Sequence, residues 1–260
     1  MIYSSNGVSL VFSDHPAERG DSGEPILLIH GFASNARINW LNPRWVETLT
    51  RAGRRVVAFD NRGHGQSEKL YDPQAYAPPI MAADALGLMR HLGIARFDCM
   101  GYSMGARIAA FAALAAPGRV RRLVLAGLGD HLAESEGKSE GLPPGIADAM
   151  EAASLTELTD PTQRLFRSFA DKNHSDLKAL AACIRGSRQN LSRAELGAIA
   201  CPTLVCVGTR DTIAGDGARL AAMLPHGRFL AIPDRDHNLA VGDKSFKAGV
   251  LAFLEAQAGS

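Results

Sequence analysis

Three side chains that can together activate a nucleophile stand where apolar runs of this 260-residue chain end. Ser103 lies in Gly-Tyr-Ser-Met-Gly, Asp211 ends Gly-Thr-Arg-Asp, and His237 lies in Asp-Arg-Asp-His-Asn. A serine hydroxyl is a weak nucleophile near neutral pH, so it needs a neighbouring imidazole that can take its proton. These are the residue types that nucleophilic catalysis by serine requires, provided that the fold brings them together.

The glycines on either side of Ser103 predict a tight turn between a strand and a helix. Gly101 and Gly105 remove the side chains that would collide where the two elements meet. Ser103 then stands clear of the backbone at a helix N-terminus, whose partial positive charge and free N–H groups favour a developing oxyanion. The pattern therefore indicates a reactive serine more than an ordinary loop.

The elements that must position these residues follow an alternating rhythm. Short runs of Val, Ile and Leu, apolar on both faces, alternate with longer helical patterns, which is typical of a parallel sheet covered by helices on both sides. We predict an α/β fold with a mostly parallel central sheet flanked by helices. The predicted strands are 26–30, 55–60, 97–103, 122–127, 203–208 and 228–233, and the predicted helices are 43–52, 80–92, 105–116, 216–224 and 244–256.

Two segments depart from this rhythm. Residues 3–13 resemble a hairpin with Asn6 and Gly7 at its turn. Residues 130–195 hold amphipathic stretches without a strand candidate, which is more than a crossover between neighbouring strands requires. We predict one domain over 1–260, with a small helical cap inserted at about 130–195.

Composition excludes several classes of function. The net charge is +1 and charged residues make up 21% of the chain, so there is no basic face for nucleic acid. No apolar run is long enough to span a bilayer, and the N-terminus lacks a signal-peptide pattern, so we expect a cytoplasmic protein without a membrane partner.

The spacing of the cysteines suggests neither a zinc site nor a disulfide framework, and we expect them to be small core residues. They are Cys99, Cys183, Cys201 and Cys206.

In open α/β sheets, ligands bind beyond the carboxyl ends of the strands, and five motifs stand at those ends. Read in order they are His-Gly-Phe, Asp-Asn-Arg-Gly-His-Gly-Gln-Ser, Gly-Tyr-Ser-Met-Gly, Gly-Thr-Arg-Asp and Asp-Arg-Asp-His-Asn. Each motif alone is a weak signal. Together, from residue 30 to residue 237, they resemble the α/β-hydrolase fold superfamily.

The resemblance implies a role for each matching residue. Ser103 would be the nucleophile, His237 the general base and then acid, and Asp211 the acid that orients the imidazole. The backbone N–H groups of Phe32 and Met104 would form the oxyanion hole, where each donor typically contributes about 3 kcal/mol of transition-state stabilisation. The triad needs neither cofactor nor metal, and the partner would be a small acyl substrate.

Several neighbouring residues offer rival interpretations. Asp216 competes for helix capping, while Asp234 and Asp236 are close enough in sequence to His237 to pair with it. We interpret His30 as a support of the oxyanion loop and His64 as part of a structural loop. Arg107, one helical turn beyond Ser103, favours a structural ion pair over substrate binding.

A serine nucleophile narrows the reaction. Haloalkane dehalogenases and epoxide hydrolases of the superfamily use Asp at this position and dienelactone hydrolases use Cys, so Ser103 predicts attack on an acyl carbonyl. We expect a carboxylesterase-like enzyme for a small or medium carboxylic ester, thioester or lactone. The candidate pocket walls are Phe32, Trp40, Tyr102, Met104, Leu132, Leu142, Phe166 and Phe169.

Two alternatives remain open at this point. Gly-Tyr-Ser-Met-Gly-Ala-Arg is similar to a motif of menaquinone-pathway lyases, and these enzymes, like C–C bond hydrolases, take polyanionic substrates. Clustered cap arginines would favour them, although an exposed helix face also explains such residues. A ligand receptor on the same fold is the other alternative. The arginines are Arg164, Arg167, Arg185, Arg188 and Arg193.

Overall fold

One mixed sheet runs through the computed structural model, which describes residues 1–18, 24–134 and 145–256. The strands are β1 (Ile2–Ser5), β2 (Val8–His15), β3 (Ile26–Ile29), β4 (Val56–Phe59), β5 (Phe97–Tyr102), β6 (Val120–Ala126), β7 (Thr203–Gly208) and β8 (Gly227–Ile232). Their order across the sheet is β1-β2-β4-β3-β5-β6-β7-β8. Strand β2 is antiparallel to both its neighbours, and all other pairs are parallel. The predicted α/β fold class and the N-terminal hairpin are confirmed.

Helices cover both faces of this sheet. Those of the described residues are α1 (Trp45–Arg51), α2 (Pro78–His91), α3 (Met104–Ala115), α4 (Ile146–Glu151), α5 (Pro161–Lys172), α6 (Leu177–Gly186), α7 (Arg193–Gly197), α8 (Gly217–Met223) and α9 (Lys244–Glu255). Residues of α2, α3 and α8 share one buried cluster, and residues of α1 and α9 share the other. None of these helices is long and apolar enough to cross a membrane.

The central strands are buried on both sides because their side chains alternate between the two clusters. In β3, Leu27 and Ile29 face the α2–α3 side, whereas Ile26 and Leu28 face the α1–α9 side. All four side chains are fully buried. A strand of this kind has no polar face, which explains why its sequence is continuously apolar.

Strand β8 departs from that expectation. It is an edge strand, paired only with β7 among the described strands, and most of its residues are partly or fully exposed. Phe229 keeps 43% of its surface accessible, while Ile232 is fully buried. The prediction of a strand was correct, but the inference that both its faces are covered was wrong, because the helix layers cover a strand at the edge of the sheet less completely than a central one.

The segment between β6 and β7 is helical where the structure describes it. It contains α4 to α7, and the side chain of Asp160 caps α5 by accepting the Gln163 N–H at 2.8 Å. Helix α5 contributes residues to the cleft above the sheet, as described below. The boundaries 130–195 of the cap remain a prediction, and Leu142, a predicted wall, lies outside the described residues.

Candidate active site

Ser103 forms the turn between β5 and α3. Its φ of 55° and ψ of −114° place it in a backbone region that non-glycine residues rarely adopt. The turn is held by neighbours: the Ser103 N–H donates to the Ala126 carbonyl at 2.7 Å, and the Ser103 carbonyl accepts the N–H groups of Ala106 and Arg107. Strain that persists at such a position is characteristic of functional sites.

The glycines around Ser103 are required by close backbone approach. A Cβ at Gly105 would lie 2.0 Å from the carbonyl oxygen of Ile29, and a Cβ at Gly101 would lie 2.1 Å from that of Gly105. Both distances are far below van der Waals contact, and both obstructing atoms belong to the backbone. The turn therefore packs directly against the end of β3, as the GxSxG spacing predicts.

The structure brings Ser103, His237 and Asp211 together from three separate strand ends. His237, in the loop after β8, has its Nε2 at 3.1 Å from the Ser103 Oγ. Its Nδ1 lies 2.8 Å from the Oδ2 of Asp211, which follows β7. The carboxyl side chain of Asp211 is fully buried. The three groups form a continuous hydrogen-bonded chain.

The hydrogen bonds of Asp211 determine which nitrogen of the His237 imidazole carries the proton. Its other oxygen accepts the N–H groups of Ile213 at 2.9 Å and Ala214 at 3.0 Å. Burial would raise the pKa of Asp211, but the hydrogen bond and charge of His237 and the two backbone donors together lower it below its ordinary value. Because a carboxylate only accepts, Nδ1 of His237 carries the proton and the Nε2 lone pair faces the serine hydroxyl.

The three other aspartates that could have paired with His237 or competed with Asp211 bind different groups. Asp216 caps α8 by accepting the Arg219 N–H at 3.0 Å. Asp234 pairs with Arg210 at 2.8 Å on the surface. Asp236 accepts the backbone N–H groups of the two residues that follow His237. Among the described residues, Asp211 is thus the carboxylate that holds the imidazole.

Two free backbone donors adjoin Ser103. A Cβ built on Gly31 would lie 3.5 Å from the Ser103 Cβ, so the loop after β3 passes directly beside the serine. Within the described ranges, neither the N–H of Phe32 nor that of Met104 donates a hydrogen bond. The loop is held by Asn39, whose Oδ1 accepts the Gly31 N–H at 3.0 Å. Sequence reasoning missed Asn39, because an asparagine eight residues after a glycine carries no recognisable signal.

Two buried histidines support this loop. The Nε2 of His30 accepts the Asn61 N–H at 2.9 Å, so its Nδ1 carries the proton and donates to the Gly31 carbonyl at 2.8 Å. His64 donates from Nδ1 to the Arg62 carbonyl at 2.9 Å, since a carbonyl oxygen only accepts. Burial lowers the pKa of His30 to about 4 and, together with the charge of His30, that of His64 to about 3.

These two histidines should make stability depend on pH. Each binds its proton more weakly in the folded protein than in the unfolded chain, so the unfolded chain binds more protons between about pH 6.5 and pH 4. Their contribution to the free energy of unfolding is complete above pH 6.5. It is lost as the pH falls, by up to about 1.4 kcal/mol per pH unit for each histidine. Urea unfolding at several pH values measures this slope.

The variant His64→Asn tests the assignment. Its amide can still donate to the Arg62 carbonyl but does not titrate, so the free energy of unfolding should fall less steeply between pH 6.5 and pH 4 than in the wild type. Equal slopes in the two proteins would mean that His64 already titrates normally in the folded state.

A cavity of about 320 Å³ opens above Ser103. Phe32, Tyr102, Phe166 and Phe169 line it, each of them a predicted wall. The rings of Phe32 and Phe166 lie 6.0 Å apart, so α5 packs onto the loop that carries a free N–H. The walls that sequence reasoning missed include Ile38, Asn39, Asn42, Leu165, Ile213 and Val241.

Three predicted walls do not line this cavity. Trp40 is fully buried and packs edge-on against Trp45, at 6.4 Å between ring centroids, in the core on the α1 side. The Met104 side chain packs beneath α6, with its sulfur 3.6 Å from that of Cys183. Leu132 is also fully buried in the core. Their apolar character serves packing, and only the fold determines which apolar residues face the cleft.

Arg107 likewise has a different role from the expected ion pair. Its guanidinium donates to the carbonyls of Gln189 at 2.7 Å and His131 at 3.1 Å, and to the side chain of Asn190. Burial and the nearby charge of Arg188 lower its pKa to about 10, so it remains charged at neutral pH. Arg107 therefore ties α3 to the segment between β6 and β7 through neutral acceptors.

Comparison with known proteins identifies the family. A sequence profile of the alpha/beta hydrolase fold matches residues 24–148. A 2-hydroxy-6-oxononadienedioate/2-hydroxy-6-oxononatrienedioate hydrolase of Cupriavidus pinatubonensis is 31% identical, over 84% of this chain and 82% of that protein. The chain belongs to the α/β-hydrolase superfamily.

Other members of the superfamily are similar over nearly the whole chain. A non-heme haloperoxidase of Rhodococcus erythropolis is 26% identical, covering 98% of this chain and 99% of the relative. The crystal structure of a hydrolase from Pseudomonas aeruginosa superimposes with a TM-score of 0.77 at 26% identity, covering 98% of each chain. The named activities of these α/β hydrolases differ, so the superfamily alone does not specify the substrate.

Proposed function

We propose that this α/β hydrolase cleaves a small or medium carboxylic ester, thioester or lactone through an acyl-enzyme on Ser103. The observation that carries the proposal is the hydrogen-bonded chain from the Ser103 Oγ through His237 to Asp211, beside two uncommitted backbone N–H groups. A nucleophile, a base and an oxyanion site within one cavity are the parts that acyl transfer requires.

In the acylation step, Ser103 attacks the substrate carbonyl and its proton passes to Nε2 of His237. The bond from carbon to serine oxygen forms while the carbonyl becomes an oxyanion, which the N–H groups of Phe32 and Met104 would stabilise. The imidazolium is held by Asp211, whose lowered pKa keeps it ionised. His237 then returns the proton to the leaving alcohol, thiol or lactone oxygen as its bond to the carbonyl carbon breaks.

Deacylation reverses these roles with water. His237 takes a proton from a water molecule, and the hydroxide oxygen forms its bond with the acyl carbon. The bond to Ser103 breaks, and the serine oxygen recovers the proton from the imidazolium. The carboxylic acid leaves and the three side chains return to their starting states.

The cavity supports a neutral substrate with an apolar acyl group. Its described walls include Ile38, Leu165, Phe166 and Phe169, and none of the described lining residues is a lysine or arginine. A substrate carboxylate would lose its hydration there without gaining a cationic partner. This weighs against the polyanionic substrates of the lyase and the C–C bond hydrolases.

Three of the five cap arginines bind other protein groups in the structure. Arg164 donates to the carbonyls of Leu155 and Leu158. Arg167 donates to two carbonyls of the α4 region and pairs with Asp171 at 3.0 Å. Arg185 pairs with Glu151 at 2.6 Å. These contacts hold the helices of the segment together, so these three arginines do not indicate an anion site.

The decisive experiment compares two esters that differ in one charged group. With Ser103→Ala as the blank, p-nitrophenyl hexanoate should be hydrolysed with a kcat/KM about 100-fold higher than the mono-p-nitrophenyl ester of adipic acid, in which a carboxylate replaces the terminal methyl group. A fluorophosphonate should label Ser103 in the wild type. Preference for the adipate would support the polyanion enzymes, and labelling without turnover of either ester would favour the receptor.

A second candidate, halide oxidation, is favoured by the haloperoxidase names among the relatives. Hydrogen peroxide attacking the acyl-enzyme in place of water would release a peroxycarboxylic acid, which oxidises bromide to hypobromite and leaves the carboxylic acid. The test is to incubate the wild type and Ser103→Ala with hydrogen peroxide, bromide and acetate and to measure bromination. Bromination that disappears in Ser103→Ala would support this candidate, and bromination that persists would exclude Ser103 from it.

A further inference from the structure

The hydroxyl of Tyr102 joins the two halves of the candidate active site. It donates a hydrogen bond of 2.6 Å to the backbone carbonyl of His237. Tyr102 is the residue immediately before Ser103, so this phenol connects the strand that carries the nucleophile with the loop that carries the base. The ring centroids of Tyr102 and His237 lie 5.5 Å apart.

The Tyr102 side chain is held rigidly by strand pairing and packing. The residue ends β5 and is paired with Ala126 of β6, and only 3% of its surface is exposed. A Cβ at Gly127 would lie 2.8 Å from the phenol ring, so this glycine leaves the space that the ring fills. Burial raises the pKa of Tyr102 well above its ordinary value, and the charges of Asp211 and Asp236 act in the same direction. The phenol therefore stays protonated and remains a donor.

The other hydrogen bonds that hold the loop of His237 to its surroundings lie on either side of the histidine. The Arg235 carbonyl accepts the Arg210 N–H at 3.0 Å, which fixes the loop before the histidine. After it, the indole N–H of Trp45 donates to the Val241 carbonyl at 2.7 Å, whereas the Asp236 carboxylate accepts only N–H groups of its own loop. In the part of the chain that the structure describes, the Tyr102 hydroxyl is the group that hydrogen-bonds the His237 backbone.

We propose that Tyr102 is a positioning residue that sets the distance between the imidazole of His237 and the hydroxyl of Ser103. The inference rests on the proposed function for its kinetic consequence only. A loop that is held at Asp234, Arg235 and Val241 can still shift at the histidine between them, and the phenol removes that freedom next to the reacting atoms. Displacements of this kind are costly, since proton transfer needs the base within hydrogen-bond reach.

The test is Tyr102→Phe, which removes one oxygen atom and retains the ring. We expect kcat for p-nitrophenyl hexanoate to fall about 10- to 100-fold with KM changed less than about twofold, because the pocket wall is preserved. The far-downfield proton resonance of the Nδ1–H that His237 donates to Asp211 should broaden in the same variant, which reports the loosened loop without reference to turnover.

Tyr76→Phe is a matched control. Tyr76 is fully buried and does not line the cavity; its hydroxyl donates a hydrogen bond of the same length, 2.6 Å, to the Leu70 carbonyl and also accepts the Leu70 N–H at 3.2 Å. Tyr76→Phe should lose at least as much stability as Tyr102→Phe, about 1 kcal/mol or more, while it keeps the wild-type kcat and resonance.

Two outcomes would overturn the inference: a Tyr102→Phe enzyme with the kcat of Tyr76→Phe, or a resonance that stays sharp. If the wild type hydrolyses no ester, the proposed function fails, and the resonance alone still decides whether Tyr102 holds the His237 loop.

Discussion

Replacing Asp211 with asparagine should lower kcat for ester hydrolysis by about 10³- to 10⁴-fold. The reason lies in the two backbone donors: the N–H groups of Ile213 and Ala214 point at one carboxyl oxygen, so the amide oxygen of asparagine must take that place. Its NH₂ group then faces Nδ1 of His237, which must become an acceptor. The ring proton moves to Nε2, where it blocks proton transfer from Ser103.

The controls for this variant are the neighbouring acids. Asp236→Asn retains the oxygen that accepts the two loop N–H groups, and Asp234→Asn alters only an exposed pair with Arg210. Both should keep kcat within about threefold of the wild type, because surface pairs contribute little. Substantial residual activity in Asp211→Asn, together with a loss in Asp236→Asn, would transfer the orienting role to Asp236.

Gly105→Ala should cost about 3 kcal/mol of stability or more, or prevent soluble folding altogether. The added methyl group would stand 2.0 Å from the Ile29 carbonyl oxygen and 2.6 Å from that of His30, and neither atom can move without displacing β3. Urea unfolding measures the loss where the protein is soluble. The expected damage includes activity, because β3 leads directly into the loop that carries Phe32, whose N–H we propose as an oxyanion donor.

Gly197→Ala is the matched substitution. Gly197 lies in α7, and a Cβ there has no neighbour within 4 Å. It should leave the free energy of unfolding unchanged or raise it by up to about 1 kcal/mol, since alanine is the better helix residue. If Gly105→Ala behaved like Gly197→Ala, the close approach of the nucleophile turn to β3 would be refuted.

The sequence allowed much of the site to be predicted because its groups stand at strand ends. In a parallel sheet the carboxyl ends of the strands meet at one edge, so residues after β5, β7 and the β8 loop converge although more than a hundred positions separate Ser103 from His237. The glycine spacing around Ser103 is a local signal of the same kind, since it reflects a steric requirement of one turn.

Other features left no local signal. Trp40 and Ile38 are both apolar and two positions apart, yet Trp40 is core and Ile38 lines the cavity. The direction of each depends on how the helical turn Arg37–Leu41 sits on the sheet. Arg107 was expected to find a carboxylate and found carbonyl oxygens instead, because the tertiary contact decides which acceptors surround a buried cation.

By itself, then, the sequence determined the fold class, the order of strands and helices along the chain and the three polar residues at the strand ends, because hydrophobic periodicity and glycine sterics are properties of neighbouring residues. Only the tertiary structure decided the tautomer of His237, the absence of lysine and arginine from the described cavity walls and the hydrogen bond from Tyr102 to the His237 carbonyl. These depend on distances between residues far apart in the chain, which packing alone sets.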